Sequence, residues 1–164
     1  MSILNVGTVQ ASTISSSTGT AAITIDSSGR VVHPNIVTWQ ARLNTTQSAP
    51  TTLIWQLEDW DTSGGYNSAN GRFTAPVAGY YFVHMNLLPN NPSAADTRLA
   101  FQKNGVTIVG QNYIITKNAN TWNTFQGTCI VQMNVNDYVS IAWASGDPCH
   151  NDGSFASFKG FLIG

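Results

Sequence analysis

The sequence predicts an all-β protein, and three of its features favour that fold class. The apolar runs are short and alternate with polar residues, which is the period-2 pattern of β-strands. Each run ends near glycine, proline or asparagine, the residues that supply the backbone angles of turns. No segment sustains the 3.6-residue periodicity of an amphipathic helix.

The predicted strands follow one another closely along residues 36–164. In chain order they are Ile36–Leu43, Leu53–Trp60, Phe73–Ala75, Gly79–Leu88, Thr97–Lys103, Val106–Tyr113, Trp122–Met133, Tyr138–Ala144 and Phe155–Ile163. Asn104-Gly105 is the strongest hairpin signal, because both residues tolerate the positive φ of a type I′ turn. The three tryptophans inside these runs, Trp39, Trp55 and Trp143, are predicted to lie in the core or at an oligomer axis. About eight to ten short strands are typical of a jelly-roll β-sandwich.

Composition excludes several classes of partner. Charged residues make up 9% of the 164 residues, and the net charge is −1. Soluble domains usually contain about 25% charged residues, so there is no basic field for nucleic acid or for an anionic membrane. No stretch has the ~20 consecutive apolar residues of a membrane helix. We therefore predict no nucleic-acid partner and no membrane insertion, and a near-neutral surface that favours self-association.

Residues 1–35 differ in composition from residues 36–164, and we take them as a stalk or anchor segment. Thr8–Ser17 is rich in serine and threonine and has neither aromatic nor charged residues. Beyond it, Ile23, Ile25 and Val31 alternate with small polar residues around a Ser28-Gly29 turn. These short strands carry too little apolar mass to fold alone. The segment is therefore either disordered or buries its thin apolar face against copies of itself.

Catalytic motifs are missing from the sequence. It has no G-x-S-x-G elbow, no P-loop and no G-x-G-x-x-G stretch. His84 lies on a predicted strand, where a surface or inter-subunit position is expected, and Cys129 lies in mid-strand. Cys129 and Cys149 either form one disulfide or remain two buried thiols, and we favour the thiols. We predict that the protein is not an enzyme and needs no cofactor.

Four stretches resemble the C1q/TNF-like jelly-roll family in order and spacing. They are Gly71–Pro76 followed by Gly79–Phe82, Leu99–Gly105, Gly127–Met133 followed by Asp137–Val139, and Phe158–Ile163. Asn136 stands where the family usually has glycine. The resemblance spans Ile36–Ile163 and implies a ten-stranded jelly roll that assembles as a tight homotrimer. It also implies that Phe73, Tyr80 and Phe82 are framework residues.

The N-terminal stretch Thr18–Val31 resembles the stalk or anchor segments of bacteriophage fibre and appendage proteins. The first residues do not resemble a signal peptide. Together these features imply a phage virion protein, made in the host cytoplasm, whose residues 1–35 contact other virion proteins. Its head is then expected to attach to a host-surface receptor, with glycan as one candidate class. The alternatives are a purely structural capsid or fibre decoration protein without a ligand, and a cellular C1q-like recognition protein.

Binding residues are expected in the loops at one end of the sandwich, at positions 62–70, 90–96, 117–122 and 145–154. Aromatic rings among Asn, Ser and Asp suit a carbohydrate, and the candidate residues are Tyr66, Trp122, Asp147, His150 and Asp152. A core position for Trp122 is an equal alternative.

Calcium is a weak further candidate. The carboxylates of Asp147 and Asp152 lie in one polar loop, and the resemblance adds Asp96, near the place where some relatives bind calcium. A solvated loop without metal is the favoured interpretation. Cys149 and His150 alone do not supply the four ligands of a zinc site.

Overall fold

The computed structural model describes residues 11–90, 96–115 and 122–164. The chain divides between Ile36 and Val37 into an N-terminal unit and a head unit. The sequence places this division one residue earlier. In the described part of the chain, no helix is long and apolar enough to cross a membrane.

The N-terminal unit contains a three-stranded antiparallel meander. Its strands are β1 (Thr13–Ser15), β2 (Ala21–Ile25) and β3 (Val31–Val32). Both connecting turns place a glycine at positive φ, +85° at Gly19 and +77° at Gly29, where a side chain would be strained. Among residues 11–36, no side chain is fully buried, so this sheet has no core of its own.

The head unit is a sandwich of two antiparallel sheets. Its strands are β4 (Thr38–Arg42), β5 (Thr51–Thr52), β6 (Leu57–Asp61), β7 (Tyr66–Asn67), β8 (Arg72–Thr74), β9 (Gly79–Leu87), β10 (Thr97–Lys103), β11 (Val106–Ile115), β12 (Phe125–Met133), β13 (Tyr138–Ser145) and β14 (Ser157–Leu162). The β9 sheet has the order β12-β9-β14-β4-β6. The β13 sheet has the order β11-β10-β13-β8-β7, with β5 also paired to β13. The all-β sandwich predicted from the sequence is confirmed.

The core lies between the two sheets and is rich in aromatic rings. Trp39 of β4 stacks on Phe73 of β8, with ring centroids 3.6 Å apart and planes 5° from parallel, so these rings tie one sheet to the other. Trp39, Trp55 and Trp143 are at most 1% exposed, which confirms their predicted burial. Along β12 the inward residues are those that the sequence alternation selects, ending at Met133.

Two local predictions are confirmed by backbone and side-chain placement. Asn104 and Gly105 both have positive φ, 51° and 79°, as the type I′ hairpin between β10 and β11 requires. Cys129 and Cys149 are buried free thiols. Burial raises the pKa of the Cys129 thiol to about 12, so the thiol stays protonated and unreactive.

One predicted strand is wrong, and the faces of a second strand needed the structure. Leu53–Trp60 is not one strand, because Ile54 bonds its backbone to the Gln47 side chain instead of to a neighbouring strand. Gln47 Nε2 donates to the Ile54 carbonyl at 2.6 Å, and the Ile54 amide donates to Gln47 Oε1 at 2.9 Å. Tyr80 and Phe82, which the resemblance implies are framework residues, face outward, because Tyr81 and Val83 alternate with them and fill the core.

Candidate recognition site

The loop between β13 and β14 is fixed to two other parts of the head. The Cys149 amide donates to the Gln47 carbonyl at 3.0 Å, and the Gln47 amide donates to Cys149 Sγ at 3.1 Å. The His150 amide donates to the carbonyl of Leu88, directly after β9, at 2.8 Å. These bonds hold the His150 backbone in one place although it lies outside any strand.

The ring of His150 contacts two exposed aromatic rings. Its ring centroid is 5.7 Å from that of Trp122 and 5.7 Å from that of Phe155, and both contacts are edge-to-face. Trp122 is 60% exposed and Phe155 44% exposed. The core alternative for Trp122 is therefore wrong. We call Trp122, His150 and Phe155 the ring row.

Asp152 adds hydrogen-bonding groups next to the ring row. Its amide donates to His150 Nδ1 at 3.1 Å, so a neutral His150 carries its proton on Nε2. Its carboxylate accepts the Ser154 amide at 2.8 Å, and this bond is the main reason why the pKa of Asp152 is lowered. The site thus offers an N–H donor, a charged acceptor and two apolar ring surfaces.

The two remaining predicted site residues, Tyr66 and Asp147, are buried. Tyr66 is only 7% exposed, and its hydroxyl donates to the Trp55 carbonyl at 2.6 Å. The expectation of an exposed Tyr66 ring is wrong, because the Asp61 carboxylate accepts the Tyr66 amide at 2.6 Å and fixes the turn that directs the ring inward. Asp147 is 8% exposed and presents little surface to a ligand. The predicted loops at 90–96 and 117–122 lie partly outside the described residues.

The structure brings together three of the predicted site residues, Trp122, His150 and Asp152, and adds Phe155, which was not among them. The sequence predicts that Phe155 begins the last strand, whereas Gly153–Phe155 forms a 3-10 turn before β14. Asp152 caps this turn through the Ser154 amide. An aspartate two residues before a serine is a local capping signal that predicts such a turn.

No preformed metal site is found in the described residues. Nowhere among them do three His, Cys, Asp or Glu side chains come together as metal ligands would, so Asp96, Asp147 and Asp152 do not form such a cluster. Burial raises the pKa of the Cys149 thiol, which opposes the thiolate that zinc requires.

A second exposed surface covers the outer side of the β9 sheet. Phe161 pairs with Phe82, which in turn pairs with Ile130, so these side chains share one face. Tyr80 and Trp60 lie on the same face, and the face is well exposed: Tyr80 51%, Trp60 45%, Phe161 41% and Ile130 63%. We call these five residues the aromatic face. Contiguous exposed apolar patches mark interfaces.

The aromatic face continues into a polar region on the same strands. His84 of β9 pairs with Lys159 of β14 and with Thr128 of β12. Its pKa is lowered, chiefly by burial and secondarily by the charge of Lys159. At the sheet edge the Arg42 guanidinium donates to both oxygens of the Asp59 carboxylate, at 2.8 and 2.7 Å.

Comparisons with known proteins agree with this architecture. The structure is similar to the globular domain of zebrafish complement 1qA, with TM-score 0.65 and 18% identity over 79% of this chain and 98% of that one. It is similar to murine APRIL, with TM-score 0.63 and 10% identity over 78% and 99%. It is also similar to the Eiger TNF of S. frugiperda, with TM-score 0.63 and 8% identity over 79% and 94%.

At these identities the structural similarities show the fold alone. A search of the curated proteins finds no relative. The C1q domain profile, however, matches residues 38–163, which is nearly the whole head unit. The chain therefore belongs to the C1q domain family.

Proposed function

We propose that the protein is a homotrimeric fibre or appendage protein of a phage virion, and that the ring row attaches it to a host-surface receptor. C1q/TNF-like domains are typically trimeric recognition modules and generally not enzymes. The observation that carries the proposal is a hydrogen-bonded loop that fixes His150, whose ring contacts the exposed rings of Trp122 and Phe155. The resemblance of Thr18–Val31 to phage stalk segments supports the virion setting. Residues 1–35 then join the head to other virion proteins.

The aromatic face supports the homotrimer. In one chain it leaves four large apolar side chains between 41% and 63% exposed: Trp60, Tyr80, Ile130 and Phe161. Few of the 164 residues are charged, so little electrostatic repulsion opposes the association of identical faces. Covering the face with two further copies removes this surface from water, which is the main driving force for association.

Glycan is the favoured receptor class because of the groups at the ring row. Trp122 and Phe155 offer ring surfaces that pack against the C–H groups of a sugar. The Nε2–H of neutral His150 and the Asp152 carboxylate are a donor and an acceptor for hydroxyl groups. A neutral sugar also needs no charged patch, in keeping with the low charge of the chain.

Binding to host cells tests the proposal. Fluorescently labelled full-length protein is titrated onto host cells, and Trp122→Ala is compared with wild type. Loss of an exposed aromatic anchor is expected to weaken binding at least tenfold, on the order of 2 kcal/mol. Val109→Ala is the matched control, because Val109 is also exposed, at 97%, and lies on β11 of the β13 sheet, outside the ring row.

The outcomes separate receptor binding from a purely structural role. Both variants should keep the melting temperature of wild type, since each truncates an exposed side chain. If Trp122→Ala and Phe155→Ala both bind cells as wild type does, attachment through the ring row is wrong. If wild type itself does not bind host cells, the decoration protein without a ligand is favoured. Binding that is competed by free sugars identifies the receptor as a glycan.

A further inference from the structure

The N-terminal meander is built from one turn used twice. At Ser16–Thr20 the first amide donates to the last carbonyl at 2.8 Å, and at Asp26–Arg30 the same bond is 3.0 Å. In each turn the glycine amide donates back to the first carbonyl, at 3.0 Å from Gly19 and 2.9 Å from Gly29. The equivalent turns fold the segment into a regular sheet, as expected for an ordered element.

The strand register places the aliphatic side chains of this sheet on one face. Ile14 lies opposite Ile23, and Ile25 lies opposite Val31. Ile23 and Ile25 are two apart on β2, so they point to the same side. We call these four residues the aliphatic face. The other side of the sheet carries Thr13, Thr24 and Val32, which pair with one another.

The aliphatic face is uncovered in one chain. Ile14 is 57% exposed, Ile25 45% and Val31 59%. Removing such an exposed apolar face from water is favourable, so the face gains free energy when another apolar surface packs on it. We propose that the aliphatic face is a self-association surface, on which the same face of the other copies of the chain packs. This inference rests on the proposed homotrimer of the head.

The chemistry of the segment favours copies of itself over a different partner. Asp26 and Arg30 are its only acidic and basic residues between positions 11 and 36, apart from His33, and they pair with each other at 2.7 Å. The aliphatic face thus offers no charge and no side-chain hydrogen bond to a specific partner, only short branched side chains. Such side chains pack closely when identical faces meet.

The connection to a trimeric head lowers the entropic cost of bringing three aliphatic faces together. β3 ends at Val32 and β4 begins at Thr38, so a short connection joins the meander to the head. A trimeric head therefore holds three copies of the aliphatic face at an effective concentration of about millimolar. A face too small to associate in free solution is then able to do so.

Val31 and Val32 provide a sharp test, because they are neighbours on opposite faces and are both exposed, at 59% and 42%. Full-length Val31→Cys and Val32→Cys are oxidised gently and run on a non-reducing gel. The native cysteines are buried, and wild type controls for them. We expect covalent dimers to predominate for Val31→Cys and to be several-fold fewer for Val32→Cys.

A second pair of variants measures packing without cross-linking. Val31→Thr is expected to speed amide hydrogen exchange in β2 at least tenfold, whereas Val32→Thr leaves it near wild type. Light scattering on the same samples measures the oligomeric state of the protein. If the wild-type protein is a monomer, the proposed homotrimer is wrong. A trimer in which both cysteine variants cross-link equally, or neither does, overturns the inference about the aliphatic face alone.

Discussion

Phe161→Ala offers the most quantitative test of how the heads assemble. Phe161 lies in the aromatic face, with its ring centroid 5.2 Å from that of Phe82, and 41% of the residue is exposed in one chain. If the homotrimer forms through this face, the exposed part of the ring is buried on assembly. The substitution removes most of that contact and creates no buried charge.

The expected loss follows from the exposed area. A Phe residue has roughly 180 Å² of accessible surface, so the exposed part is about 75 Å². At ~25 cal/mol per Å² its burial contributes about 2 kcal/mol per chain and about 6 kcal/mol per trimer. This loss raises the dissociation constant of the trimer by about 10⁴. Because three chains associate, the midpoint concentration for dissociation rises by about its square root, or ~100-fold.

Sedimentation or light scattering over a dilution series measures that midpoint. Val109→Ala is the matched control, since Val109 is exposed on the other sheet and its loss should leave the midpoint unchanged. Chemical denaturation of dilute Phe161→Ala shows whether the single chain still folds. Equal midpoints for Phe161→Ala and Val109→Ala would refute assembly through the aromatic face, and so would a wild-type monomer at micromolar concentration.

Three further predictions concern stability and metal binding. Trp143→Ala should lower the free energy of unfolding by about 3–5 kcal/mol in urea denaturation, because Trp143 is 1% exposed; a loss below about 1 kcal/mol would contradict this. The lowered pKa of His84 means that the unfolded chain takes up its proton first, so stability should fall as pH drops below the ordinary value of 6.5. His84→Gln should remove that part of the slope, and identical slopes would exclude His84 as the cause. Calorimetry should show no heat when calcium is added to chelator-treated protein. If heat is released and Asp152→Asn or Asp96→Asn abolishes it, the protein has a calcium site and the prediction is wrong.

The strands of the head were predictable because each strand alternates apolar and polar residues and ends at residues that favour turns. The alternation of β12 gives the inward face residue by residue, and Asn104-Gly105 specifies its turn through two positive φ values. Asn136 also has positive φ, 70°, which explains why glycine is the family's usual residue there. Asparagine is among the few residues that tolerate this conformation.

The errors arise where a side chain bonds to a nearby backbone group and overrides the pattern of apolar residues. Leu53–Trp60 has the pattern of one strand, yet the side chain of Gln47 bonds to both backbone groups of Ile54 and separates β5 from β6. Tyr66 reads as a loop aromatic, yet the Asp61 carboxylate fixes its backbone and the ring enters the core. The two bonds span seven and five residues, and the alternation of apolar and polar residues does not reveal either of them.

The candidate surfaces were harder to predict because apolar residues occur on both sides of the β9 sheet. A strand with apolar residues at successive positions, such as Tyr80 to Val83, suggests burial without saying which residue faces which side. The register decides it: Tyr81 and Val83 face the other sheet, and Tyr80 and Phe82 face outward. The predicted framework role of Tyr80 and Phe82 therefore becomes, in the structure, a place in the aromatic face.

The Phe158–Ile163 stretch shows how one short motif serves both fold and assembly. Phe158 is fully buried and lies edge-on to Trp39, with centroids 5.8 Å apart. Gly160 is opposite Trp39 and Val83, and a Cβ there would collide with the Trp39 ring and the Phe82 carbonyl oxygen. The absence of a side chain at Gly160 thus lets the Trp39 ring cross the strand and reach Phe73. The next residue, Phe161, then faces away from the core by strand alternation, so the spacing that admits the tryptophan also places a ring in the aromatic face.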